Sequence, residues 1–403
     1  MPAVLLYFRL HQPFRLRKYT VFDTDPAYFD AKLNPALLRK AAESAYLPLL
    51  RLCASLLQPS LADPRAQPPI PFKVAFSVTG TLVEQLERHA PEVLHLLHTL
   101  AQSPHVELLA ETYHHSLAAL RSPTEFVEQV NLHRDMLKRN FDIVPATFRN
   151  TELIYSNDVA RLAADLGFPL LLAEGYEPAL NHRSAAFAYS AHLPVPHAAA
   201  ELAPAAPPTL LLRNHQLSEA LASHLADPAH PLFPLTPDSF AQHIASIGGP
   251  LCNLFLPAEA LSTQPTLLDF LAALPAALAH HHCPLLLPKD APAHATNAGP
   301  LDLHTPVSWL SPEISPPLAP WLGNAMQQNA ADELYKLESP LKSHPDPHLL
   351  ADWRKLTTAD HLAFMSTHEP PPTTPPTPAP YESPYDAYIN FMNILDNLRL
   401  RAG

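Results

Sequence analysis

The chain of 403 residues carries 26 basic against 38 acidic side chains, a formal charge of −12, and 47% hydrophobic residues. That length suits one large core with a smaller appended unit. The negative balance repels polyanions, and no basic run exceeds the cluster Arg15, Arg17, Lys18, so nucleic acid is not an expected partner. Apolar runs such as Leu210 to Leu212 and Leu285 to Leu287 stop far short of the roughly 20 residues a membrane span needs, so no membrane is expected either. The N-terminus has no basic region before its apolar run and no small-residue cleavage site, and does not read as a secretory signal. Three cysteines, Cys53, Cys252 and Cys283, at unrelated spacings argue against a disulfide framework and for a cytoplasmic setting. The 24 histidines show no zinc-site spacing, so neither a metal nor another cofactor is expected, and His280 to His282 read as a solvated helix end. With 49 prolines against 8 glycines, stiff loops follow.

Residues 3–10 (AVLLYFRL) form an apolar strand that ends at His11, Gln12 and Pro13, since proline cannot continue a ladder. Residues 72–78 make a second strand, closing in Thr79 and Gly80. Apolar spacing from Thr81 to Leu100 then predicts helices, with Pro91 starting a new one. A third strand, Val106 to Ala110, leads into Glu111, Thr112, Tyr113, His114 and His115. Ser122 and Glu125 are spaced as a capping box and open a helix with Phe126, Val130 and Leu137 on one face. Ala146 to Phe148 leads to Arg149, Asn150, Thr151 and Glu152, and the helix from Asn157 stops at Gly167. Leu170 to Ala173, Thr209 to Leu212, Cys252 to Leu256 and Pro284 to Leu287 supply further strands. Strands alternating with helices imply a parallel α/β barrel or open sheet. His11, Glu111, Glu152, Glu174, Arg213 and Glu259 fall at or just beyond strand C-termini, where parallel barrels place their sites, so a polar cleft is expected on that rim.

After about residue 305 the rhythm changes. Trp309 to Leu337, Asp346 to Thr367 and Tyr385 to Leu398 read as helical, with Asp346 an N-cap and Pro347 in the first helical position. Residues 369–380, EPPPTTPPTPAP, read as a solvated polyproline loop. The expected division is an α/β barrel over 1–305 and a C-terminal helical domain over 306–403.

A glycosidase needs two carboxyl groups flanking the scissile bond, about 5 to 5.5 Å apart for a retaining reaction, one attacking and one donating a proton. Glu152 follows a strand and has Arg149 near enough in sequence to keep it ionised, which suits a nucleophile. The same position also suits a carboxylate that balances a helix macrodipole.

Several stretches carry a resemblance. They are His11-Gln12-Pro13-Phe14-Arg15, Phe76 to Gly80 with Glu84-Gln85-Leu86, Leu109 to Tyr113, Phe148 to Tyr155, Trp321 to Asn324 with Met326-Gln327, and Ser383 to Phe391. In order and in kind they resemble glycoside hydrolase family 57, in its α-amylase branch. The resemblance implies an incomplete seven-stranded (β/α) barrel followed by a helical domain, acting without a metal on α-1,4-linked glucans or malto-oligosaccharides with retention. It places the nucleophile at Glu152 and a sugar contact at His11. It also implies Glu111, His114 and Arg149 in the same cleft, with Trp321, Asn324 and Gln327 bringing the helical domain over it.

The fourth motif departs from the family. Its general acid is an aspartate, and the frame Asn253 to Leu256 before it and Asp269, Phe270, Leu271 and Leu274 after it puts Pro257 there. Proline has no proton to donate. Glu259, two residues on, would share a face with position 257 if the strand stayed extended, although it corresponds to a glutamate that active members already have. The stretch Thr367-His368-Glu369 departs as well. The resemblance therefore implies a glucan-binding protein with hydrolysis lost or residual. The alternatives are a working hydrolase or glucanotransferase using a displaced acid such as Glu259, and a scaffold that binds no sugar.

Overall fold

Strand β1 (Ala3–Leu10) is buried almost throughout, as expected when a parallel sheet is covered on both faces. Its alternation separates the two sides. Val4, Leu6, Phe8 and Leu10 pack under the surrounding helices, whereas Ala3, Leu5 and Tyr7 belong to the interior core. The further strands are β2 (Val74–Val78), β3 (Val106–Leu109), β4 (Thr147–Arg149), β5 (Leu170–Glu174), β6 (Ala188–Ala191), β7 (Thr209–Arg213), β8 (Leu251–Pro257), β9 (Leu285–Leu286) and β10 (Asn297–Leu301). The computed structural model describes residues 1–58, 71–194, 206–310, 312, 314–368 and 379–403. Most of the expected polyproline loop 369–380 lies outside them.

β1, β2, β3, β4, β5, β7 and β8 run parallel and ring a barrel. Two joints are thin. β3 reaches β4 through the bridge Ala110–Phe148, and β7 is in register with β8 at Arg213–Asn253. The lower part of the β7 edge is instead taken by β6, antiparallel from Thr209 to Leu211, which carries β10 in turn. The result is the nearly closed seven-stranded barrel with flanking helices that the resemblance implies. β6 and β10 are additions that the sequence pattern hides, because β10 contains Gly299 and Pro300 and lies at an edge.

The C-terminal region is helical, including Ala325–Lys336, Pro347–Leu356 and Pro384–Ala402. Its Leu334, Trp353, Leu356, Phe391 and Ile394 share one continuous core with Leu5, Tyr7 and Phe255 from inside the barrel. Charge ties the two regions as well: Glu125, buried on the barrel helix Pro123–Phe141, meets Arg354 at 2.9 Å and Lys342 at 2.9 Å. Ser122, Ser156, Asp346 and Ser383 cap their helices as their residue types predict. Among the described residues, the helical stretch expected from Trp309 to Leu337 begins later than expected. Trp309 and Leu310 lie in a turn and the first helix is Ala319–Leu322, because Pro312, Pro316 and Pro317 remove the donors a helix would use.

Candidate active site

Alternation and register decide which side chains reach the rim from inside. β1 pairs Arg9 with Ser77 of β2 and with Pro257 of β8, and residues paired across a parallel ladder share a face. That face continues Leu5 and Tyr7, so all three point into the barrel. By the same alternation Glu111, Arg149, Glu174 and Arg213 rise from β3, β4, β5 and β7. The ring is polar at each of these strand ends and hydrocarbon at Pro257.

Glu152 sits in the turn after β4. Its backbone is left-handed, with φ 53° and ψ 27°, and Leu153 follows at φ 51°. Such conformations cost non-glycine residues of order 1 kcal/mol or more and are held only where surrounding contacts dictate them. Here Trp309 N donates to the Glu152 carbonyl at 3.1 Å. The Glu152 carboxylate is buried and receives three donors. Arg9 Nη1 lies 2.7 Å and His115 Nε2 2.6 Å from Oε1, and the Trp309 indole N–H donates to Oε2. Burial opposes its charge, but Arg9 and then His115 outweigh burial and hold the group well below the usual carboxylate range.

His115 also has positive φ, 52°. Its other ring nitrogen faces Glu111 Oε2 at 3.4 Å, and Ser77 Oγ donates to Glu111 Oε1 at 2.6 Å. Burial works against a charge on His115, yet its hydrogen bonds to Glu111 and Glu152 raise its pKa above the ordinary imidazole value. Glu111 is drawn down to about 2: burial opposes the charge, while His115 and Arg149 favour it. His11 stacks on His115 with ring centroids 4.2 Å apart. Burial and the neighbouring His115 push its pKa down to about 4. The neutral ring then donates from Nε2 to Asp360 Oδ2 and accepts the Thr79 hydroxyl at Nδ1, each at 2.9 Å.

His11, His115 and Asp360 place one ligand atom each within 4.8 Å of one another. The two rings are stacked with planes 29° apart, and His11 Nε2 bonds Asp360 while His115 Nε2 bonds Glu152. A second such group, Asp238 with His280 and His281, lies on the surface. These two histidines thus bond Asp238 at the helix end, at 3.3 and 2.9 Å.

The expected residues divide into those near Glu152 and those in other roles. His11 and Glu111 are in the cluster. Arg149 is close but serves Glu111 first, with Nη1 3.8 Å from Oε2 and its guanidinium 5.0 Å from the Phe255 ring centre. His114 packs against Tyr113, and it is the neighbouring His115 that touches Glu152. Trp321 is buried in the helical core, and Asn324 and Gln327 form a reciprocal capping box. Glu174 and Arg213 pair with each other at 2.9 Å, and Arg213 also binds Glu219 and lies 3.5 Å from the Trp309 carbonyl. A groove of about 700 Å³ opens beside these two strand ends, lined by Tyr176, Glu177, Arg183, Asn214 and His215.

The extended path assumed for Glu259 is corrected. The strand ends at Pro257 and Glu259 is helical, φ −61° and ψ −18°. Its Oε1 accepts the Tyr46 hydroxyl at 2.5 Å and the His11 N–H at 3.5 Å. Burial raises its pKa even though Arg9 opposes the rise.

Arg9, His115, Trp309 and Asp360 escaped the sequence reading. One signal was available for Arg9, which stands two residues before His11 on a strand and so shares its face. Nothing in the local pattern marks the other three.

The chain belongs to glycosyl hydrolase family 57, whose family model matches residues 5–303. It is 30% identical over 411 aligned positions to a protein of Methanocaldococcus jannaschii named "Putative alpha-amylase", spanning 96% of this chain and 82% of that one. Among solved structures it is similar to the alpha-amylase AmyC of Thermotoga maritima (TM-score 0.65, 11% identity, 99% of this chain and 93% of that one). It is also similar to the branching enzyme of Pyrococcus horikoshii (TM-score 0.64, 13% identity, 91% and 86%). A third likeness is to the 4-alpha-glucanotransferase of Thermococcus litoralis (TM-score 0.64, 12% identity), where it covers 89% of this chain but 54% of that one. These structural likenesses show the fold.

Proposed function

We propose that this protein binds α-1,4-linked glucan at the barrel rim and that hydrolysis is lost or residual. An amylase, a branching enzyme and a glucanotransferase among its relatives share α-glucan as substrate, which supports the ligand class. The observation that carries the loss is Pro257, a hydrocarbon at the strand end where the family resemblance expects the general acid. Glu152 is proposed as the nucleophile position, with His11 and Glu111 arranged around it. The three cysteines are free and buried, which fits a reducing cytoplasmic setting.

One observation favours a second reading, a working enzyme with Glu259 as acid, since its raised pKa lets it hold a proton longer than an ordinary carboxyl. Against it, Tyr46 and the His11 N–H already occupy one of its oxygens.

Calorimetry with malto-oligosaccharides and reducing-end release from starch test the two readings together. The expected result is binding, with starch hydrolysis about 10² to 10⁴ below that of a complete carboxylate pair. Undetectable binding would leave the scaffold. Full hydrolysis abolished by Glu259→Gln would establish the working enzyme.

A further inference from the structure

Arg9 stands at the corner where the two walls of the rim meet. It is in register with Pro257, points to the same face, and bonds Glu152 at 2.7 Å with both side chains about nine-tenths buried. An aspartate at position 257 would be its direct neighbour on that face and would compete for the guanidinium. Proline leaves Glu152 as the strong partner. A guanidinium stays charged at any ordinary pH, so Arg9 cannot serve as the missing proton donor.

What it can do is occupy the nucleophile. A carboxylate oxygen attacks through an in-plane lone pair. Glu152 Oε1 takes one donor from Arg9 and one from His115, and Oε2 takes the Trp309 indole. The charge-assisted bond from Arg9 is stronger than a neutral one and must weaken as charge leaves the oxygen during attack. That raises the barrier to attack while leaving a rigid, ionised cleft for sugar hydroxyls.

We propose that Arg9 is a positioning residue that fills the corner left by Pro257 and locks the Glu152 carboxylate in an ion pair, converting a site built for attack into one that holds glucan. This rests on the reading that Glu152 faces the anomeric carbon of a bound glucan.

An α-maltosyl fluoride tests it, because fluoride leaves with little acid assistance. A Glu152 oxygen donates a lone pair to the anomeric carbon, the C–F bond breaks, and fluoride departs with the bonding pair. Water then attacks the glycosyl ester, freeing the sugar and the carboxylate and releasing a proton to solvent. Fluoride release and the mass of the Glu152 ester are measured for the whole protein, Arg9→Gln, Arg9→Met and Arg9→Lys. Maltotriose binding is measured by calorimetry in parallel.

The expected result is slow release by the wild type and by Arg9→Lys, and release faster by about tenfold or more in Arg9→Gln and Arg9→Met, for a loss of roughly 1.4 kcal/mol of ground-state pairing. Their acidic limb should shift to higher pH, since removing Arg9 lets the Glu152 pKa rise, a readout that a general loosening would not move. With binding intact, equal rates and pH profiles in all four proteins would overturn the proposal, as would no release from any of them. Binding lost only in the Arg9 variants would make Arg9 a sugar contact instead and overturn it too. Absent binding in the wild type would sink the glucan reading itself and the proposal with it.

Discussion

The strand ends at Glu152 and at Pro257 lie on the same rim and are built on opposite principles. Around Glu152, charge is dense and matched: Arg9, His115, Glu111, Arg149 and Ser77 form a connected set in which each carboxylate finds cationic or hydroxyl partners. Around Pro257 the chain offers Leu256, Ala258, Ala260 and Leu261, all buried, and Glu259, two residues on, is bound into Tyr46 and the His11 backbone. The first wall is held by interactions that fail badly when one member is removed. The second is held by packing, which tolerates small changes.

Three measurements can break or sharpen that contrast. The largest effect is expected for Glu152→Ala, which leaves the buried Arg9 guanidinium without its ion-pair partner and takes from His115 one of its two carboxylates. Chemical denaturation should show a loss of about 3 to 5 kcal/mol, and a loss below about 1 kcal/mol would mean that the wall is not held by matched charge. Next comes acid. Because the Glu111 pKa is lowered to about 2 from 4.5, the folded form binds fewer protons than the unfolded one in that interval. Its contribution is therefore complete above about pH 4.5 and lost as pH falls toward 2. At roughly 1.4 kcal/mol per unit this is up to roughly 3 kcal/mol, and Glu111→Gln should flatten the stability curve over that range. An unchanged slope would remove Glu111 from the network. The smallest effect is expected for Pro257→Ala, about 1 kcal/mol or less, since it deletes only part of a packed ring at the end of β8. A loss as large as that of Glu152→Ala would show the two walls to be alike.

How much of the site was legible depended on how far apart its members lie. His11, Glu111 and Glu152 were marked by strand ends and by the family motifs. The partners that fix Glu152 come from elsewhere: Arg9 is 143 residues away and Trp309 157, while Asp360 meets His11 across 349. His115 shows the finer limit. Sequence favoured His114, but His115, itself left-handed in the turn, is the residue whose ring meets Glu152, and single-residue backbone conformations do not register in a periodic pattern. For Trp321, Asn324 and Gln327, which the family motif marks, the structure adds a buried place in the core and a reciprocal helix cap.

The sequence by itself determined the alternation of strands and helices, the helix starts at Ser122 and Asp346, and a proline at position 257. These depend on chemistry within a few residues, where side-chain period and backbone restriction act directly. The tertiary structure alone decided the closure of the barrel with β6 at its seam, and the register that sets Arg9 beside Pro257 and against Glu152. Register is a relation between strands far apart in the chain, fixed by which faces are buried together. Thus the charge that governs Glu152 is supplied by a residue two places from a named motif, and only folding brings it there.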